Sequence, residues 1–253
     1  MPDPRPAGTT VTVVMPVYNE RATFAEVMTQ VVARDIPGVT FDVVVVESGS
    51  TDGTRGAVLE WADHPRVTVI LEDRPQGKGH AVRRGLEAAA GDIVLIQDAD
   101  LEYDVADYDR LLEPIVAGRT SFVLGRRTGP QGDWRLRSAQ PGFRAGHVLN
   151  VGHVLFLALF NVVYGQRLHD PFTMYKVFRR SCIDGLHLEC DRFDFDWELT
   201  AKLIRAGYPP LEIPVSYRSR SFAQGKKVRM FRDPLSWVRA CFKYRFAPLH
   251  RPG

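Results

Sequence analysis

Four short β-rich runs, interleaved with helical stretches, constrain this chain more than any other feature. Residues 11–15, 41–46, 67–71 and 93–96 are almost unbroken β-branched and aliphatic residues, the composition of strands covered on both faces. Between them, 20–33 carries Phe24, Val27, Met28, Val31 and Val32 on one helical face. A second helix is expected over 54–62, and a third opens at the Gly-rich loop 75–79 and runs to about Ala90. Such alternation predicts a parallel sheet with helices on both faces. Ligands of such sheets bind beyond the carboxyl ends of the strands. The polar residues gather there: Pro16-Val17-Tyr18-Asn19-Glu20 after the first strand, Glu47-Ser48 after the second, and Asp98-Ala99-Asp100 after the fourth.

The last of these is the most chemical. Residues i and i+2 of an extended chain project to one side, so Asp98 and Asp100 can share a target while Ala99 turns into the protein. Two carboxylates this close need a cation. Hard oxygen donors suit Mg²⁺ or Mn²⁺ carrying a phosphorylated ligand. Two other phosphate-binding patterns fail on the letters. Lys78 is followed by Gly79 and His80 rather than Ser or Thr, so there is no P-loop, and the turn after the first strand has no glycine for a dinucleotide fingerprint.

Composition is that of an ordinary globular protein, 45% hydrophobic and 25% charged. Cys182, Cys190 and Cys241 fit neither a metal site nor a paired disulfide framework, which suits a reducing, cytoplasmic compartment. Residues 1–10 are Pro-rich without the apolar core of a signal peptide and read as a disordered lead-in. The net charge of +3 is uneven: from Arg218 onward there are ten Lys or Arg against the single acid Asp233. That tail calls for an anionic partner, either substrate phosphates or a membrane surface. No nucleic-acid module signature accompanies it, which makes nucleic acid the weakest of the three anionic partners such a tail could take, and none is expected.

The second half is less regular. Residues 122–125 read as a strand ending in Arg126-Arg127, and 210–217 as an edge strand. The apolar stretch 148–164 is interrupted by His153 and Asn161 and reads as a buried or interface-facing helix rather than a membrane span. The segment 234–246 mixes Trp237, Val238, Phe242 and Phe246 with Arg239, Lys243 and Arg245, as an interfacial basic helix does.

Taken in order, Met15-Pro16-Val17-Tyr18-Asn19-Glu20, Ser48-Gly49-Ser50-Thr51-Asp52-Gly53-Thr54, Gly77-Lys78-Gly79, Asp98-Ala99-Asp100-Leu101, Gly125-Arg126-Arg127 and Tyr217-Arg218-Ser219-Arg220 with Gly225-Lys226-Lys227 resemble the family 2 glycosyltransferases of GT-A fold. In look they are similar to the polyprenyl-phosphate sugar transferases, such as dolichyl-phosphate mannosyltransferases. The resemblance implies an α/β, Rossmann-like, mostly parallel sheet with a basic helical C-terminal segment. It implies one catalytic domain over 11–217, with a nucleotide-sugar half (11–103) and an acceptor half (104–217), followed by a basic lid loop and amphipathic helix over 218–253.

The implied reaction is metal-dependent and inverting, moving a hexose from a UDP- or GDP-sugar to a polyprenyl phosphate. A soluble hydroxyl acceptor is the alternative, and a non-catalytic sugar-nucleotide scaffold is the reading from another class. Pro16, Tyr18, Glu20, Val46, Ser48 and Lys78 would hold the nucleotide, and Asp98, Ala99 and Asp100 the metal and diphosphate, with Mg²⁺ or Mn²⁺ on Asp98 and Asp100. Arg127, Arg220 and Lys226 would close over the phosphates. Glu47-Ser48 departs from the two Asp usual in the family, which leaves the base open between uracil and guanine. Asp196 and Glu198 are the candidate bases for a hydroxyl acceptor, or else structural acids paired with Lys202 or Arg205. Asp170 matches a family acid near the acceptor. Contact with the inner face of a membrane and homodimerisation are left open.

Overall fold

Val11, Val13 and Met15 alternate along β1 (Thr9–Val17) with Thr12, Val14 and Pro16, and both sets are buried, because helices cover the strand from either side. The computed structural model describes residues 8–128, 144–192, 194–218 and 233–250, and for 128, 144–153 and 233–237 the backbone alone. Arg220 and Lys226, most of the expected lid, and residues 1–7 lie outside the described residues.

The first half follows the expected alternation: α1 (Phe24–Val32), β2 (Val39–Ser48), α2 (Thr54–Leu59), β3 (Val67–Glu72), α3 (Lys78–Ala88) and β4 (Ile93–Ile96). β1 pairs in parallel with β2 and β4, and β2 with β3. On β2, Val44 and Val46 pack with Ala81 of α3, whereas Val43 and Val45 join the main core with Phe24, Val27, Met28 and Val31 of α1. The period-two alternation of a strand therefore feeds two helical layers. β1 starts inside the expected lead-in and runs through Pro16 rather than halting there. Its pairing with β4 ends at Val14, so the missing N–H of Pro16 costs no ladder bond on that side.

The second half adds α4 (Tyr108–Val116), β5 (Phe122–Thr128), α5 (Arg144–Tyr164), β6 (Lys176–Arg179), α6 (Phe195–Arg205), β7 (Leu211–Ser216) and α7 (Asp233–Phe246). The sheet order is β3-β2-β1-β4-β6-β5-β7. β6 runs antiparallel between β4 and β5, and β7 pairs in parallel with β5 at the far edge. α4 and β6 are additions to the sequence-based picture. Among the described residues no helix is long and apolar enough to cross a membrane. All three cysteines are free and buried.

Candidate functional site

The ends of β1 and β2 are tied into one rim by side chains of the two turns that follow them. Asn19, in the left-handed region at φ 51°, donates its amide N–H to Ser50 Oγ and accepts one from Thr51 N at 2.8 Å through Oδ1. Glu20 N donates to Thr54 Oγ1, and Asp52 caps Thr54 while also accepting from Arg21 N. Short polar residues compete for backbone groups in this way wherever a turn must be fixed. Pro16 and Val46 are cross-strand neighbours, half-buried Tyr18 and Glu20 follow on the rim, and Ser48 lies two residues beyond Val46. The Ser48 hydroxyl is buried and has no hydrogen-bond partner among the described residues. Glu47 points the other way, fully buried, accepting from Ser50 N at 2.6 Å and from Arg55. Burial opposes its ionisation, but the hydrogen bonds from Ser50 and Arg55 prevail and hold its carboxyl below the ordinary range.

The acid pair sits at the end of β4, held from three sides. Buried Gln97 donates to the Asp98 carbonyl and accepts from the hydroxyls of Tyr108 and Tyr175. Thr23, at the start of α1, donates its hydroxyl to the carbonyl of Ala99, which is 2% exposed. Asp100 accepts from Glu102 N at 3.0 Å. Glu102 in turn accepts from the Tyr217 hydroxyl and, through its carbonyl, from Arg218 N. The basic segment therefore departs from a point fixed beside the acid pair.

Lys78 reaches this pair because of two glycines. Gly77 adopts φ +113°, and a Cβ there would lie 2.1 Å from the Asp191 carbonyl oxygen; at Gly79 it would lie 2.5 Å from that of Cys190. The start of α3 is thus pressed onto the loop that leads into α6. Lys78 Nζ donates to Asp98 Oδ1 at 2.7 Å. Burial works against its charge, but Asp98, then Asp196 and Asp100, hold the ammonium above its ordinary range.

Asp196, in the first turn of α6, is shared between Lys78 and a second lysine. Lys176 is wholly buried, with Nζ 3.2 Å from Asp196 Oδ1 and donating also to the Thr173 carbonyl. Burial pushes the Asp196 carboxyl up, against the pull of Lys176 and Lys78. It pushes the Lys176 ammonium down. Beyond Lys176 lies Arg127, whose Nε and Nη2 each donate to buried Asp170 at 2.7 Å. Its guanidinium is 5.3 Å from the Tyr217 ring centre. The result is an alternating chain of charge, Asp98, Lys78, Asp196, Lys176, then Asp170 with Arg127, along the carboxyl ends of the central strands. Trp197 stacks on Phe172 at 4.2 Å, with Phe160 edge-on to both, and this aromatic layer joins α5 to the start of α6.

Residues 12–186 match the model of "Glycosyl transferase family 2". The chain belongs to this family. Among its relatives, glycosyltransferase AglJ of Haloferax volcanii is 28% identical over 90% of the chain and 69% of that protein. An undecaprenyl-phosphate 4-deoxy-4-formamido-L-arabinose transferase of Sodalis glossinidius is 29% identical over 85% and 62%. A dolichol-phosphate mannosyltransferase of Pyrococcus furiosus is 26% identical over 85% and 58%. The chain thus spans less than two thirds of the last two. In fold it is similar to glucosyl-3-phosphoglycerate synthase of Mycobacterium tuberculosis, crystallised with Mn²⁺, UDP and phosphoglyceric acid, at a TM-score of 0.69 and 19% identity over 96% of this chain and 80% of that one. The fold is GT-A.

Within this family 2 glycosyltransferase, Pro16, Tyr18, Glu20, Val46 and Ser48 share one rim, and Lys78, Asp98, Asp100 and Asp196 one cluster. Arg127 lies one lysine away and is already engaged by a carboxylate. Glu198 is not part of the site. It is wholly buried, accepts from Glu189 N and Cys190 N at 2.8 Å each, and pairs with buried Lys202 at 2.7 Å. Of the two readings open for it, the geometry realises the structural one: it fixes the loop that carries Asp191 against Gly77. Lys176 is the site residue that sequence reasoning missed, since a lysine opening a four-residue strand looks like a surface charge. Among the described residues no cluster of three or more His, Cys, Asp or Glu could hold a metal ion. Asp98 and Asp100 would supply only part of a shell, and phosphate oxygens of a ligand would complete it, as is usual for Mg²⁺. A concavity of about 530 Å³ beyond β3, lined by Glu72, Arg74, Gln76, His80 and Arg84 among others, lies apart from this cluster.

Proposed function

We propose that this glycosyltransferase moves a hexosyl group from a nucleoside diphosphate sugar to a polyprenyl phosphate, with inversion at the anomeric carbon. The observation that carries the reading is the convergence of Asp98, Asp100, Lys78 and Asp196 at the carboxyl ends of the central strands, beside the rim of Pro16, Tyr18, Glu20 and Ser48. The rim takes the nucleoside, and the orphaned Ser48 hydroxyl is available to its base. Mg²⁺ or Mn²⁺ on Asp98 and Asp100 would supply Lewis-acid stabilisation of the leaving diphosphate. Lys78 adds positive charge where the leaving group becomes more negative, and the family motif assigns Arg220 and Lys226, outside the described residues, to the same task.

The state of the two acceptor-side acids supports a phosphate acceptor. A hydroxyl acceptor needs a carboxylate positioned to take its proton. Glu198 is spent on Glu189, Cys190 and Lys202, and Asp196 on Lys176, with Lys78 also acting on it. A phosphate monoester arrives already ionised: one of its oxygens attacks the anomeric carbon, the bond from that carbon to the diphosphate oxygen breaks, and no proton has to move. The names of the polyprenyl-phosphate relatives point the same way. The intact acid pair and its basic neighbours argue against a non-catalytic scaffold.

The surface suits a lipid-borne acceptor. Leu155 and Val162 of α5 and Phe242 and Phe246 of α7 are exposed. Arg245 links the two helices, donating to the Val163 carbonyl at 3.2 Å and lying over the Phe246 ring. Exposed Arg239 and Lys243 flank the patch, which favours peripheral contact with an anionic bilayer. The test is incubation with UDP- or GDP-sugars, Mn²⁺ and either a short polyprenyl phosphate or the matching polyprenol, with mass detection of product. Transfer to the phosphate alone is expected; transfer to polyprenol or to a soluble sugar with none to the phosphate would overturn the acceptor assignment.

A further inference from the structure

Lys78 owes its position to backbone contacts rather than to packing of its own side chain. Gly77 and Gly79 let the start of α3 lie against the carbonyls of Asp191 and Cys190, and His80 N donates to the Asp191 carbonyl at 3.1 Å. From that anchored point the lysine stem extends to Asp98 Oδ1 at 2.7 Å. Glu198 fixes the opposing loop through the amides of Glu189 and Cys190. The ammonium is therefore aimed at the acid pair by a built structure. Around it stand three carboxylates, Asp98, Asp100 and Asp196, and, among the described residues, one further ammonium on the same cluster, that of Lys176.

We infer that Lys78 is a built-in counter-cation that competes with the divalent ion for the Asp98 carboxylate and passes to a phosphate oxygen when metal and nucleotide arrive together. The inference rests on the metal role proposed above. A flexible four-carbon stem carrying a point charge can change partners without moving the backbone. While Lys78 holds Asp98, an incoming dication meets both an occupied ligand oxygen and a like charge. A diphosphate removes both obstacles, because it offers the ammonium a new anion and the ion new oxygens. Lys78 thereby makes metal binding conditional on the donor, so that the ion loads as a nucleotide complex instead of saturating the acids alone.

The test is titration of Mn²⁺, followed by the electron paramagnetic resonance signal of the free ion, against the full chain and its Lys78→Met and Lys78→Gln variants. Each is measured alone and with saturating UDP or GDP. Removing a close positive charge should tighten Mn²⁺ binding in the absence of nucleotide by about tenfold or more. The factor by which nucleotide tightens Mn²⁺ should shrink accordingly. Lys78→Gln keeps a neutral donor for Asp98 and should fold if Lys78→Met does not. Mn²⁺ binding alone that is unchanged or weaker in the neutral variants would overturn the inference while leaving the metal role intact, since Lys78 would then hold Asp98 alongside the ion. A wild-type chain that binds no Mn²⁺ even with either nucleotide would remove the metal role and the inference together.

Discussion

The ammonium of Lys176, wholly buried at the start of β6, lies 3.2 Å from the carboxylate of Asp196 at the start of α6. The antiparallel strand thus delivers a positive charge to the residue that would otherwise be the natural base of the site. Burial pushes this carboxyl up, but its oxygen is already engaged by Lys176 and it faces Lys78 as well, so it serves as an electrostatic brace.

Asp196→Asn separates these roles. Leaving Lys176 buried without a counter-charge should destabilise the fold by about 2 kcal/mol or more, read by urea unfolding. Turnover with a phosphate acceptor, per folded molecule, should fall less than about a hundredfold, whereas loss of a general base costs about 10²–10⁴-fold. A loss at the upper end of that range, with KM unchanged, would restore Asp196 as the base and favour a hydroxyl acceptor.

Glu198→Ala should act on stability rather than chemistry. It leaves Lys202 buried and unpaired and two amides without their acceptor, so a loss of about 3–5 kcal/mol is expected. Adding Lys202→Met should return part of that loss, and the double-mutant cycle measures how much. A Glu198→Gln variant that melts like wild type yet has lost turnover would contradict the structural role.

Much of this architecture is legible in the letters. β1 to β4 and α1 to α3 announce themselves by apolar period and turn chemistry, and the parallel alternation alone locates Asp98 and Asp100 at a ligand-binding edge. β6 is hidden because only Val177 and Phe178 are apolar in a four-residue strand, and a lysine opens it. α4 carries Tyr108, Leu111, Leu112 and Ile115 at helical spacing, but Pro114 masks the pattern. Glu198 could not be told from Asp196, two residues away. What separates them is which way α6 turns each, one toward the sheet's edge and one toward the amides of Glu189 and Cys190, and that is a tertiary fact. The role of Gly77 and Gly79 is equally tertiary, since the loop they touch is more than a hundred residues distant.

Acid should weaken the rim at the ends of β1 and β2 through Glu47. Its carboxyl is held below the ordinary 4.5 despite burial, so it binds protons more weakly folded than unfolded. Its contribution is therefore complete above about pH 4.5 and is lost as the pH falls through the lower, folded value. In urea unfolding, Glu47→Gln should be about 1–3 kcal/mol less stable than wild type at neutral pH. That gap should narrow on acidification below 4.5; a gap independent of pH would contradict the assignment.

The exposed aromatics of α7 should govern lipid contact. Phe242→Ser with Phe246→Ser should release the protein from sedimenting vesicles of mixed neutral and anionic lipid, while turnover on a detergent-dispersed short-chain acceptor is kept. Added salt should weaken the wild-type association as well, because its basic residues meet a screened surface. Sedimentation unaffected by either change would contradict a membrane role for this face.

The most direct test of the account asks whether the acid pair at the end of β4 holds nucleotide through metal. Thermal melting is followed with UDP and with GDP, with and without Mn²⁺, for the wild type and for Asp100→Ala. At about a hundred times Kd a ligand adds about 2.7 kcal/mol of stability, enough for a clear rise in Tm. One of the two nucleotides should raise the wild-type Tm far more with Mn²⁺ than without it, and Asp100→Ala should lose the Mn²⁺-dependent part. An equal Mn²⁺-dependent shift in Asp100→Ala would contradict the claim.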